Sequence, residues 1–144
     1  MIKDLLEKKK KIILFDGECN LCDWSVKVLL KNDPKDIFHF ASLQSELGKK
    51  IQEQYGIDSS KLHSIILIDD YTNHKTKTSA IFSITGSMGA AWSLFNIFWI
   101  VPKFIRDAVY MFIAKNRYTW FGKQNTCMII TDDIRHKFLD QHEY

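Results

Sequence analysis

A chain of 144 residues has room for one ordinary domain with a sizeable core. With 46% hydrophobic and 26% charged residues, it has the balance of a water-soluble globular protein and not that of a disordered or fibrous chain. The net charge is only +3, and the run Lys8 to Lys11 has no interleaved aromatics. It therefore reads as a solvated lead-in that protects the first strand from stray pairing, and not as a nucleic-acid groove.

The N-terminus carries Lys3, Asp4 and Glu7 and no apolar core of a secretory signal. Three cysteines are an odd number, which disfavours a disulfide scaffold. Both features point to a cytoplasmic setting, where a Cys-x-x-Cys is more often catalytic or metal-binding than structural. Ile12 to Phe15 is an apolar run and predicts a buried strand. Asp16-Gly17 ends it with turn chemistry. Cys19 and Cys22 follow at the start of a helix spanning 20–32, with Leu21, Trp24, Val28 and Leu29 as its core face. Asn32-Asp33-Pro34 closes that helix.

Residues 37–41 alternate Ile-Phe-His-Phe-Ala and predict a second strand, parallel to the first because a helix separates them. His39 falls on the face opposite Phe38 and Phe40; a lone histidine there has no assigned role. Ser42 is the expected N-cap of a helix over 42–54. Leu43, Leu47, Ile51 and Tyr55 form its apolar stripe, and Gly56 stops it. Residues 64–68 predict a central third strand. The turn Asp69 to Asn73 leads to an antiparallel edge strand at 74–78, polar enough for an edge.

Beyond Ala80 the chain turns apolar and aromatic. The stretch 90–102 is too short to span a bilayer, which takes about 20 apolar residues. It predicts a helix ending near Val101, followed from Pro102 by a second through Phe104, Ile105, Ala108, Val109, Phe112 and Ile113. Together they form a helical hairpin across 90–115. Arg117 to Lys123 then reads as an aromatic loop leading to Cys127, with Tyr118, Trp120 and Phe121 expected to pack on the domain. Thr131-Asp132-Asp133 opens a last helix carrying Ile134, Phe138 and Leu139. There is no internal repeat, and Gly86-Ser87-Met88-Gly89 lacks the lysine and preceding strand of a phosphate loop.

Strand, turn and Cys-x-x-Cys at a helix start is the layout of a redox dithiol. Residues i and i+3 are neighbours on a helix surface, so their sulfurs can close a disulfide. Unpaired N–H groups and the helix dipole favour a thiolate on the first cysteine. Cys19 is thus the expected exposed nucleophile and Cys22 the resolving thiol. Asp16, Glu18 and Asp23 oppose the thiolate. One carboxylate at about 6 Å, at an effective dielectric of about 20, costs roughly 3 kcal/mol, against about 0.3–1 kcal/mol from the helix end. On this arithmetic Cys19 is not strongly acidic, and the pair suits a reductant or exchange enzyme.

Asp16-Gly17-x-Cys19-x-Leu21-Cys22, together with Tyr110-x-x-x-Ala114-x-Asn116-Arg117-Tyr118-x-x-Phe121-Gly122 and Cys127, resembles the DCC family of thiol–disulfide oxidoreductases, named for its Asp-Cys-Cys. The resemblance spans about Ile12 to Cys127. It implies a thioredoxin-like α/β fold: a mixed four-stranded sheet flanked by helices, here with the added C-terminal helical hairpin and aromatic loop. Residues 1–144 would form one such domain, with a core over about 11–90 and a helical extension over about 90–144. It also implies catalysis by Cys19 and Cys22, with a buried Asp16 accepting the Cys22 proton; Asp16 as a turn residue capping the loop is the alternative. Arg117, Tyr118 and Cys127 are accessory candidates. Cys127 is either a third redox thiol or a small buried hydrophobe. The chain departs from thioredoxin-like enzymes in one respect. Its only prolines are Pro34 and Pro102, so none stands near His63-Ser64, where a cis-proline usually faces the dithiol.

The expected function is thiol–disulfide exchange on a thiol or disulfide substrate, foremost a protein. No cofactor beyond the cysteine pair, no nucleic acid and no membrane span are expected. The alternatives are a redox-inert interaction module using the aromatic second half, and a metal domain. Cys19 and Cys22 have the spacing of half a zinc site, with Cys127 the one further cysteine. Residues 12–18 also look faintly like the strand-Asp-x-Asp start of haloacid-dehalogenase-like phosphatases, with Glu18 in place of the second aspartate and the cysteines unexplained.

Overall fold

The structure is a computed structural model and describes residues 2–58, 65–122 and 131–140. Four strands form one mixed sheet in the order β2-β1-β3-β4. They are β1 (Lys11–Phe15), β2 (Phe38–Ser42), β3 (Ile66–Ile68) and β4 (Lys75–Thr76). β1 and β2 run parallel, with Ile13 opposite Phe40. β3 is antiparallel to β1, with Ile13 opposite Leu67, and β4 is antiparallel to β3. Among the described residues the α-helices are α1 (Ile2–Glu7), α2 (Asn20–Lys31), α3 (Glu46–Gln54), α4 (Lys77–Ser87), α5 (Ala90–Ser93) and α6 (Lys103–Phe121). This α/β order and sheet agree with the thioredoxin-like expectation, and α1 was not foreseen.

The continuous apolar run of β1 is explained by burial on both faces. Ile13 and Phe15 join Phe38, Phe40 and Leu67 beneath Val26 and Leu29 of α2 and Ala80 and Ile84 of α4. Ile12 and Leu14 pack on the other face with Ile66, Ile68, Leu6 of α1 and Ile51 of α3. β2 is a border strand, yet all its residues are buried. The C-terminal segment covers that border: Phe138 bridges Phe40, and the Leu139 N–H donates to the Phe40 carbonyl at 2.9 Å. The Ser42 N–H donates to Asp140 at 2.7 Å, and Lys137 pairs with Asp33 at 2.8 Å. His39 is buried within this border strand, and burial holds its pKa below the ordinary value.

Several elements differ from the sequence reading. α3 is capped by Ser45, whose Oγ accepts from the Gly48 N–H at 2.9 Å, because Ser42 is still in β2. The edge strand is only Lys75–Thr76. Lys77 takes φ +53, a left-handed turn that breaks the strand and starts α4. On α2 the buried residues are Val26 and Leu29, whereas Trp24 is 62% exposed. The first limb of the expected hairpin is α5 followed by a 3-10 segment (Leu94–Ile100) with no buried residue, and both rest on α4. The second limb, α6, begins after Pro102 and continues to Phe121. The aromatic loop expected from Arg117 is therefore the last turns of α6, and Trp120 and Phe121 are about half exposed there. Arg135–Lys137 is a single 3-10 turn in place of the last helix. His63-Ser64 and Cys127 lie outside the described residues.

Candidate active site

The site forms where β1 ends, α2 begins and α6 ends. Phe15 anchors β1 in the core, so Asp16 leaves the sheet at a fixed place and is only 4% exposed. Its Oδ1 accepts from the Glu18 N–H at 2.9 Å, an Asx turn that shapes the loop. Oδ1 also accepts from Gln44 Nε2 at 2.7 Å. Its Oδ2 takes Arg117 Nη2 at 2.7 Å and the Tyr118 hydroxyl. Gly17 is needed in this loop, since a Cβ there would meet Ser42 Oγ at 2.9 Å. Asn20 Nδ2 donates to the Phe121 carbonyl at 2.9 Å, which ties the start of α2 to the end of α6. Gly122 terminates α6 at φ +80, a conformation that favours glycine.

Burial alone would raise the Asp16 pKa. The hydrogen bonds from Tyr118, the Glu18 N–H and Gln44, and the charge of Arg117, outweigh it and hold the carboxyl below its ordinary value. Asp16 is thus ionised at neutral pH, and it closes the turn through the Glu18 N–H. Tyr118 is pushed up to about 12, by burial and by its bond to Asp16, so it stays a donor. The Arg117–Asp16 pair is buried at both ends.

Cys19 is the N-cap of α2, and its Sγ accepts from the Cys22 N–H at 3.4 Å. Both cysteines are free thiols. The Cys22 thiol hydrogen-bonds to the Cys19 sulfur and lowers its pKa to about 6; burial opposes this, and the Cys22 N–H and Arg117 assist it. Cys22 is shifted the other way, by the same sulfur–sulfur bond and by burial. Cys19 is therefore more acidic than the carboxylate arithmetic allowed. That arithmetic lacked the hydrogen bonds from the Cys22 thiol and N–H, the larger causes, and also Arg117, which pairs with Asp16 from 101 residues away. The expected exposure is also corrected. Cys19 is 0% exposed because its sulfur turns inward as a cap, and Cys22 is the half-buried one.

Beside the pair lies a cavity of about 500 Å³ bounded by α2, α4, α5, the 3-10 segment and α6. Cys22, Asp16, Arg117 and Tyr110 contribute its polar wall, and the remaining lining is largely apolar. The Tyr110 hydroxyl accepts from the Ile65 N–H at 3.2 Å, and burial keeps it protonated. Among the described residues no three His, Cys, Asp or Glu side chains stand together as metal ligands. Cys127, which a larger sulfur site would need, is outside them. Gln44 was missed by the sequence reading; a single glutamine in a loop carries no local pattern that would mark it.

A family model described as DCC1-like thiol-disulfide oxidoreductase matches residues 13–123, which include both cysteines, Asp16, Arg117 and Tyr118. The chain belongs to this family. Among its relatives is "Uncharacterized protein YuxK" of Bacillus subtilis, 42% identical over 129 residues, 90% of this chain and 93% of that protein. Another is "DCC family protein At1g52590, chloroplastic" of Arabidopsis thaliana, 34% identical over 122 residues, 84% of this chain and 70% of that one. No solved structure matches the chain. Within the family segment, Asp16 and the cysteines come from one end and Arg117 and Tyr118 from the other; the fold joins them through one carboxylate. Among the described residues no helix is long and apolar enough to cross a membrane.

Proposed function

We propose that the chain is a thiol–disulfide oxidoreductase in which Cys19 is the nucleophile and Cys22 the resolving thiol. The observation that carries this reading is the asymmetry of the pair: a thiolate favoured at Cys19, a proton held on Cys22, and Arg117 beside both. The Cys19 thiolate attacks one sulfur of a substrate disulfide. The substrate S–S bond breaks, a Cys19–substrate disulfide forms, and the leaving thiolate takes a proton from water. The Cys22 thiol then attacks Cys19 Sγ. Its proton passes to the second leaving thiolate, and the Cys19–Cys22 disulfide closes. Two electrons leave the protein dithiol and the substrate ends as two thiols. Run backward, the same steps oxidise a dithiol. The pair itself is the redox group, so no further cofactor enters.

In this scheme Asp16 is a positioning residue. Its bonds to Arg117, Tyr118, Gln44 and the Glu18 N–H leave it a weak base, and its role is to hold the guanidinium near the sulfurs. Two measurements test the reading. Equilibration in graded glutathione buffers, with free thiols counted, should show a two-electron transition involving Cys19 and Cys22. Cys22→Ser should trap mixed disulfides and Cys19→Ser should not. Thiols that stay reduced at every ratio, or trapping by the Cys19 variant, overturn it.

A further inference from the structure

We infer that the cavity beside Cys22 is the substrate site, and that it takes a small apolar disulfide, or the corresponding apolar thiols, in preference to an extended protein chain. This rests on the oxidoreductase reading and names its substrate class.

Three observations converge. The cavity, about 500 Å³, is within the range that encloses a small organic molecule. Its wall is apolar where α2, α4 and α6 face it, through Val28, Ile84, Met88 and Ile113, while its polar wall holds Cys22. A bound apolar disulfide would therefore lie against Cys22 and bury its carbon skeleton away from water. Trp24 and Phe95 also line the cavity and are exposed, so it is open on that side. Leu21, Trp24 and Val28, which spacing placed on the core face of α2, line this space instead.

The third observation concerns the backbone. A peptide held beside the dithiol by strand pairing needs free main-chain groups on the segment leading into β3. There the Ile65 N–H is already satisfied by the Tyr110 hydroxyl, and Ile65 and Tyr110 are both part of the cavity wall. Among the described residues of that segment, the Ile65 donor is thus taken by a side chain of α6. Cys19 itself is 0% exposed, so its attack on any disulfide needs a local opening, and the opening is smaller for a small molecule than for a protein. A small molecule in the cavity reaches Cys22's surroundings without displacing the sheet.

Exchange between the bound disulfide and the pair follows the balanced steps given above. Of the pair only Cys22 lines the cavity, so the first attack by Cys19 would follow a local opening on the Cys22 side.

The test uses the full chain, pre-reduced, with three disulfides: dibenzyl disulfide, glutathione disulfide and insulin. The oxidation rate of the pair should saturate with dibenzyl disulfide and remain slower and unsaturated with the other two. Val28→Trp and, independently, Met88→Trp place an indole in the cavity at positions that are only half-buried. Each should raise the half-saturating concentration of dibenzyl disulfide at least tenfold. Fast turnover of insulin, or a dibenzyl rate untouched by both fillings in folded protein, overturns the substrate assignment and leaves the oxidoreductase reading standing. Failure to react with any of the three removes both.

Discussion

Thiol chemistry at Cys19 is set first by the hydrogen bond from the Cys22 thiol and is assisted by one residue distant in sequence. Arg117 pairs with Asp16 and faces the sulfurs, so the carboxylate that would repel a thiolate is neutralised. Alkylation of Cys19 should therefore follow a titration with a midpoint near 6 and not near the thiol value of 9.0. Rates at neutral pH will still be moderated by its burial, which requires a local opening for reagent to enter. Arg117→Leu should move the midpoint up and also destabilise the fold by about 3–5 kcal/mol, since Asp16 is left as an unpaired buried charge. Arg117→Lys should recover part of the midpoint. Asp16→Asn is the discriminating partner. If Asp16 only closes the turn, the midpoint stays put; if it positions Arg117, the midpoint shifts. The linkage sign is definite. A thiol depressed from 9.0 to about 6 contributes stability to the reduced fold that is complete above 9 and lost as pH falls through 6. Reduced protein should thus gain stability between those values, and urea titrations at a series of pH values check it. The same acidity favours the reduced form. One unit of thiol pKa is about 1.4 kcal/mol, or roughly 30 mV for a two-electron couple. The pair should therefore be more oxidising than the local carboxylates alone suggest.

Among the elements, those specified locally were legible and those specified at a distance were not. β1, β2 and β3 came from short apolar runs. The stripe on α3 came from a four-residue repeat, and the Cys-x-x-Cys and each of the two family motifs lie in contiguous residues. The exceptions have long-range causes. Ser42 looked like a cap, but pairing with β1 and the bond from its N–H to Asp140 keep it in β2 and move the cap to Ser45. Residues 117–121 looked like a loop because they are aromatic; they are helical, and the helix places Arg117 and Tyr118 on Asp16. Trp24 matched the core spacing, but a cavity lies on that side of α2. The covering of β2 was invisible in sequence, since Phe138 meets Phe15 and Phe40 only after the chain has returned across the sheet. That cover predicts an order of effects. Phe138→Ala should cost about 3–5 kcal/mol, the loss typical of a fully buried ring. Ser45→Ala should cost about 1 kcal/mol, the worth of one cap. Urea unfolding of the two variants gives the ranking, and a Phe138 variant as stable as wild type would mean that the C-terminal segment does not close the core.

At the scale of the whole molecule, the described residues divide between a well-buried sheet and an apolar outer face. Ile97 is 64%, Ile100 86% and Phe104 74% exposed, and Phe98, Trp99, Val109 and Phe112 are more than half exposed beside them in sequence. Soluble monomers seldom leave a contiguous apolar patch of more than a few hundred Å² in water. The charges along this stretch do little to break it up. Lys103 and Lys115 are exposed, Arg106 lies over the Phe82 and Trp99 rings, and Asp107 is turned inward to accept from Thr78. The face is thus apolar, aromatic and cationic, with no exposed carboxylate from Leu94 to Phe121. It should make the purified chain self-associate as concentration rises. Gel filtration with light scattering over a wide range of concentration reads this directly, and an unchanged monomer throughout would refute it. A triple variant with Ile97→Ser, Ile100→Ser and Phe104→Ser should stay monomeric across the same range. None of these three residues lines the cavity. The variant should therefore keep the Cys19 midpoint near 6 and the dibenzyl disulfide rate. Loss of association together with loss of that rate would instead tie the outer face to the active site, through Trp92 and Phe95, which stack at 5.8 Å and belong to both.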